Sequence, residues 1–330
     1  MKLGMWASCA IAALALAACG GSNSGGASGG GGSANASGGA KAAPTGNATA
    51  EQVAKEQRGN VNCPAKIATP ARAANAPVDD VVGVRPGLTY EEAVNVVLCD
   101  NPMLVTSDAT GRGFQINTYG QKVRQGFDAR FAEARVEKTS QQIMKEMQDD
   151  MMARSGNAIR EDMKPGQIKY YVGTMGMPGQ EKVITAAREE WYPEGKLPPA
   201  TSVADALIKK YGTPTHRQDI PGTQIYLRWA YDPLGRLITE TSPKFNSCTG
   251  VDSPDGGANV SPDCGIVVQA RVQVSRENQD LAKLLQVGVV DQANGYGALK
   301  AVEDGLKAQD DARKAKELND ATKNATAPKL

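Results

Sequence analysis

The residues of this chain best suited to chemistry are its six cysteines, and their positions sort them. Cys9 and Cys19 fall in an apolar N-terminal run, whereas Cys63, Cys99, Cys248 and Cys264 belong to the body of the chain. A redox or zinc site would need a CxxC pair or companion histidines, and neither is present. An even set of body cysteines reads instead as structural disulfides. Cys248 and Cys264 flank a Gly-, Pro-, Asp- and Ser-rich loop, 249–263, with no apolar pattern to hold it. A bond between them would close that loop for about 3 kcal/mol on the chain-entropy argument. Cys63 and Cys99 form the remaining pair, tying the entrance of the folded region to its first helix.

Other nucleophiles and ligands are sparse. The single histidine, His216, excludes HExxH metalloproteases, which need two, and it falls in a segment after a helix where a solvated ring is expected. Gly26-Ala27-Ser28-Gly29-Gly30 matches GxSxG, but its surroundings offer neither the strand nor the helix that the serine motif requires. Met144, Met147, Met151 and Met152 share a helical face with Ile143 and could offer thioethers to Cu(I). Core packing accounts for the same spacing, so the methionines are expected in the interior. No phosphate loop occurs, and no carboxylate pair stands out. The expectation is a protein with no catalytic residues, no metal and no cofactor.

Composition removes one class of partner. Lys and Arg number 37 against 36 Asp and Glu, so no basic surplus exists to neutralise a phosphate backbone, and nucleic-acid binding is disfavoured.

Residues 1–18 have one basic residue, Lys2, an apolar segment and the small residues Leu16-Ala17-Ala18 before Cys19. This run resembles the lipobox of bacterial lipoproteins. The resemblance implies cleavage after Ala18, acyl chains on Cys19 and a periplasmic location. Because Gly20, not Asp, follows the cysteine, it further implies anchorage at the outer membrane. The apolar run is shorter than the ~20 residues a spanning helix needs. Residues 19–60 are mostly Gly, Ser, Ala and Asn, the composition of a flexible tether about 35 Å in root-mean-square span.

Beyond the tether, Thr89 with Glu92 forms a capping box ahead of Tyr90, Ala93, Val94, Val97 and Leu98 on one helical face, and the helix stops at Asn101-Pro102. A second helix runs from Thr201, with Val203, Ala206, Leu207 and Tyr211, to Gly212-Thr213-Pro214. A third follows Thr139. Residues 168–175 and 180–192 read as a hairpin. Ile225, Leu227, Trp229 and Tyr231 alternate with polar neighbours, as do Ile266 to Val274, so both read as half-buried strands. Tyr231-Asp232-Pro233-Leu234-Gly235-Arg236-Leu237, which resembles one copy of the YD repeat of bacterial shell-forming proteins, reads as a turn with a return strand to Glu240. A C-terminal helix with Leu299, Val302 and Leu306 on its apolar edge is expected to begin docked and end solvated.

The unit Gly87-Leu88-Thr89-Tyr90-Glu91-Glu92-Ala93 through Pro102 is similar to the opening of SmpA/OmlA-type lipoproteins and of the wider beta-lactamase-inhibitor-like fold. That resemblance implies antiparallel sheets with helices on one face, and a habit of binding proteins. The expected architecture is therefore α+β, in two related units spanning 61–160 and 161–310, with a polar tail at 311–330. The expected role is a lipid-anchored binding or assembly module at the outer membrane, acting on another envelope protein. A small-ligand carrier or an enzyme with a hidden site is the alternative. Tyr226, Arg228, Tyr231 and Arg236 are the candidate partner-binding residues, because Tyr, Trp and Arg dominate interface energetics and the chain is only 5% aromatic.

Overall fold

Alternating side chains build one sheet from both expected units. The computed structural model describes residues 46–109, 113–155 and 163–325. The segment 1–18, Cys19 and the tether up to residue 45 lie outside the described residues. Among the described residues an eight-stranded antiparallel sheet has the order β1-β2-β3-β4-β8-β7-β6-β5. Its strands are β1 Leu104–Asp108, β2 Gly126–Phe131, β3 Ile168–Met175, β4 Lys182–Trp191, β5 His216–Ile220, β6 Gln224–Ala230, β7 Ile266–Val274 and β8 Ala282–Asp291. The helices are α1 Ala50–Arg58, α2 Tyr90–Asp100, α3 Ser140–Ser155, α4 Ala200–Tyr211 and α5 Gln292–Asn324.

The α+β class is as expected, and the chain runs through the same course twice. A helix followed by a four-strand meander, α2-β1-β2-β3-β4, is succeeded by α4-β5-β6-β7-β8, and the last strands pair at the centre, Ala186 opposite Val289. The residue preceding each helix bridges the start of its own last strand, Thr89 to Lys182 and Pro199 to Leu281. β3 pairs with β2 across 160/161, the boundary expected between the two units, within one continuous sheet.

Two faces result. On the helix face, Ala93, Val97, Ala204, Leu207 and Tyr211 pack on Phe127, Val172, Leu227, Trp229, Val268, Val272 and Val289. Trp229 is fully buried, lies 5.1 Å from the Tyr211 ring and donates from Nε1 to the Gly212 carbonyl at 2.8 Å. Truncating such a residue costs about 3–5 kcal/mol. The opposite face carries α5, whose Val302 and Leu306 pack on Met175 and Ile184, and the loop closed by Cys248–Cys264. The helices thus divide between the faces, which corrects the expectation that they pack on one face only. α5 is docked through Asp310 and exposed beyond it, helical into the stretch read as a polar tail.

The capping box at α2 forms as read, with Glu92 and Thr89 exchanging bonds at 2.9 and 3.2 Å. Glu92 also accepts from the N–H groups of Ala68 and Thr69 and from the Thr69 hydroxyl. Burial would raise its carboxyl, but these donors outweigh burial and hold it down at about 2. Cys63 pairs with Cys99, and Cys248 with Cys264.

Four expectations are corrected. The tether does not extend to residue 60: α1, opened by a Thr49–Gln52 capping box, buries Val53 and Ala54. Its Arg58 donates to the carbonyls of Leu98, Asn101 and Leu104, satisfying the end of α2. α4 starts at Ala200 and buries Ala200, Ala204, Leu207 and Tyr211, leaving Ala206 exposed. The return strand to Glu240 shrinks to one bridge, Tyr231 to Leu237. Lastly, the methionine helix α3 is not core. Ile143 is 47% exposed, Met144 68% and Met147 64%, because α2 and α4 already fill the helix face; the side chains of Met151 and Met152 lie outside the described residues.

Candidate functional site

Register places the chemistry of the loop face in two rows. One runs His216, Arg228, Gln269, Gly288, Ala187, Tyr171 and Asp128 from β5 to β2. The next runs Gln218, Tyr226, Arg271, Gln286, Glu189 and Lys169. A polar row across six strands is unusual for a face that a loop covers, since each buried polar group must find a partner.

The loop supplies most of these partners. From Cys248 it crosses the sheet so closely that a Cβ on Gly288 would stand 2.3 Å from the Val251 carbonyl oxygen. Glycine is required there. The Gly250 N–H donates to Gln269, Asp252 pairs with Arg271 at 2.9 Å, and Asp255 pairs with Lys169 at 2.6 Å. Gln286 donates to Glu189 at 2.7 Å, completing the centre of the row.

The β5–β6 corner is built differently. Arg228 is 6% exposed, and its Nε is buried without a hydrogen-bond acceptor. No carboxylate pairs with it among the described residues. Its guanidinium lies 4.1 Å from the Phe245 ring centre, a stacking worth roughly 0.5–2 kcal/mol. His216 sits opposite Arg228 on β5, edge-on to Phe245 at 5.6 Å and to Tyr226 at 6.0 Å, with Nδ1 hydrogen-bonded to Glu240. Burial raises the Tyr226 hydroxyl above its ordinary value. The nearby Arg271 also has a buried Nε without an acceptor, although its Nη2 is paired.

The structure brings together only two of the four candidate residues. Tyr226 and Arg228 share the loop face, two positions apart on β6. Tyr231 packs instead with the helix-face core, and the exposed Arg236 closes its own turn on Asp232. Sequence reasoning missed His216, Glu240, Phe245 and Arg271 as neighbours of this corner. Pro221-Gly222 was the available signal: with Gly222 at φ +70° it turns the chain between β5 and β6, which places His216 beside Arg228.

Among the described residues no group of three or more His, Cys, Asp or Glu is arranged to hold a metal ion, and no helix is long and apolar enough to cross a membrane. Comparisons with protein-family models, curated proteins and solved structures found no match.

Proposed function

We propose that this chain is a lipid-anchored binding module of the bacterial envelope, held at the outer membrane on the periplasmic side by acyl chains on Cys19, and that it engages another envelope protein through the β5–β6 corner. The observation that carries the reading is Arg228, a buried cation without an ion-pair partner among the described residues, flanked by Tyr226, His216 and Phe245. Tyr and Arg in partly desolvated settings supply much of the energy at protein interfaces. Anchoring is supported by the Leu16-Ala17-Ala18-Cys19 run, and the standoff by the Gly- and Ser-rich residues after it. The β5 edge itself carries the Arg217–Asp219 ion pair, a charged edge that discourages indiscriminate strand addition.

A photoreactive residue at position 226, introduced in living cells, tests the surface. A discrete adduct with an envelope protein is expected, and it should vanish when the protein is released by Cys19→Ala. Repeated absence of an adduct, with the protein folded and membrane-bound, would remove this surface from the proposal. A small-ligand carrier is the second reading. It is favoured by a groove of about 470 Å³ between α5 and the β3–β4 hairpin, lined by Met175, Met177, Ile184, Ala298 and Val302.

A further inference from the structure

Arg228 poses an energetic question. Burying the Nε of a guanidinium without an acceptor carries a desolvation cost, and stacking on one phenyl ring offsets only part of it. An apolar side chain of similar length would serve the sheet better, as replacements of buried charges elsewhere have done. A buried cation without an acceptor calls for an account beyond packing.

The charges around it define what it would receive. Arg271 is paired with Asp252 and Glu240 is hydrogen-bonded to His216, whereas no carboxylate pairs with Arg228 among the described residues. A dianion such as phosphate would be repelled by Asp252 and Glu240. A single carboxylate fits, because its two oxygens match the planar donor edge of a guanidinium.

A short segment covers this corner. Residues 239–247 run between the buried anchors Ile238 and Cys248 and are exposed or half-buried throughout. They meet the sheet through Glu240 on His216 and through Phe245, which lies on Arg228 and His216 and packs against the small core of Ala230, Cys248 and Val267. Lys244 turns away to Asp263.

We propose that Arg228 is the receptor for a single carboxylate group, flanked by Tyr226 and His216, with residues 239–247 as the flap that opens to admit it. This rests on reading the corner as the partner surface, and it names the chemistry that the partner presents: an acidic side chain or chain terminus, or a free organic acid of the same chemistry.

The test is an NMR titration of arginine Nε–H signals in the full chain at constant ionic strength, using sodium acetate, a blocked glutamate-rich peptide and inorganic phosphate as probes. The Arg228 signal is identified by its loss in Arg228→Met. Acetate and the peptide are expected to shift it saturably, phosphate is not, and Arg228→Lys should weaken the acetate response roughly tenfold because the planar fork is gone. Arg228→Met should melt at the wild-type temperature or above. No saturable shift with acetate or peptide, or a response to phosphate in place of acetate, overturns the proposal. So does a large loss of stability in Arg228→Met, which would make Arg228 a packing residue. The crosslinking experiment separates the two readings. Acetate binding without adducts keeps the receptor and makes the ligand a free organic acid, whereas adducts without acetate binding keep the partner surface and remove the receptor.

Discussion

Replacing Glu92 with Gln should weaken the fold at neutral pH and leave it almost unaffected in strong acid. The carboxylate gathers four donors, from Thr89, Ala68, Thr69 N–H and the Thr69 hydroxyl, and so fastens residues 68–69 to the start of α2. Its fall from the ordinary 4.5 to about 2, at roughly 1.36 kcal/mol per pH unit, sets a ceiling of about 3.4 kcal/mol on the stabilisation. Solvent screening at the rim of the core reduces this to about 2 kcal/mol. The sign follows from the depressed pKa: the contribution is complete above pH 4.5 and is lost as pH falls towards 2. Urea unfolding of wild type and Glu92→Gln at a series of pH values measures the gap directly, and taking the difference removes the other carboxylates. A gap of about 2 kcal/mol at pH 7 that closes between pH 4.5 and 2 is expected. A gap below about 0.5 kcal/mol at pH 7, or one that does not change with pH, would refute the reasoning.

Three further outcomes are expected. Gly288→Ala should cost about 1–3 kcal/mol in urea unfolding, because its methyl would meet the Val251 carbonyl at 2.3 Å and push the disulfide loop off the sheet. Met147→Ser should change stability by under about 0.5 kcal/mol, as for an exposed site, against the 2–5 kcal/mol that truncating a core methionine costs. Non-reducing peptide mapping should recover Cys63 linked to Cys99 and Cys248 linked to Cys264, and serine at both 248 and 264 should lower stability by about 3 kcal/mol.

Legibility in the sequence followed local pattern. α2 could be read because its cap and its apolar face lie within a dozen residues, and β6 because Ile225, Leu227 and Trp229 alternate with polar neighbours. The central strand β8 was hidden, since Val289 and Val290 are buried on opposite faces and a short continuous apolar run does not reveal its period. β5 was hidden for the opposite reason: His216-Arg217-Gln218-Asp219-Ile220 is an edge strand with little to bury. α1 was masked by its setting in polar sequence, although Thr49 and Gln52 announce it. The methionine face shows the limit of periodicity, which identifies an apolar stripe but not what covers it. At the corner, Tyr226 and Arg228 were visible as a composition of binding residues, while Phe245 and Glu240 arrive through a loop without pattern.

The seam between β4 and β8 has a consequence for how the chain is made. β4 ends at Trp191 and its partner begins at Ala282, so a chain emerging N-terminus first completes one whole meander with an unpaired inner edge. That edge includes Ala186 and Ala187, which the finished sheet buries completely. Until β8 follows, it is open to any extended segment nearby, including β4 of another copy.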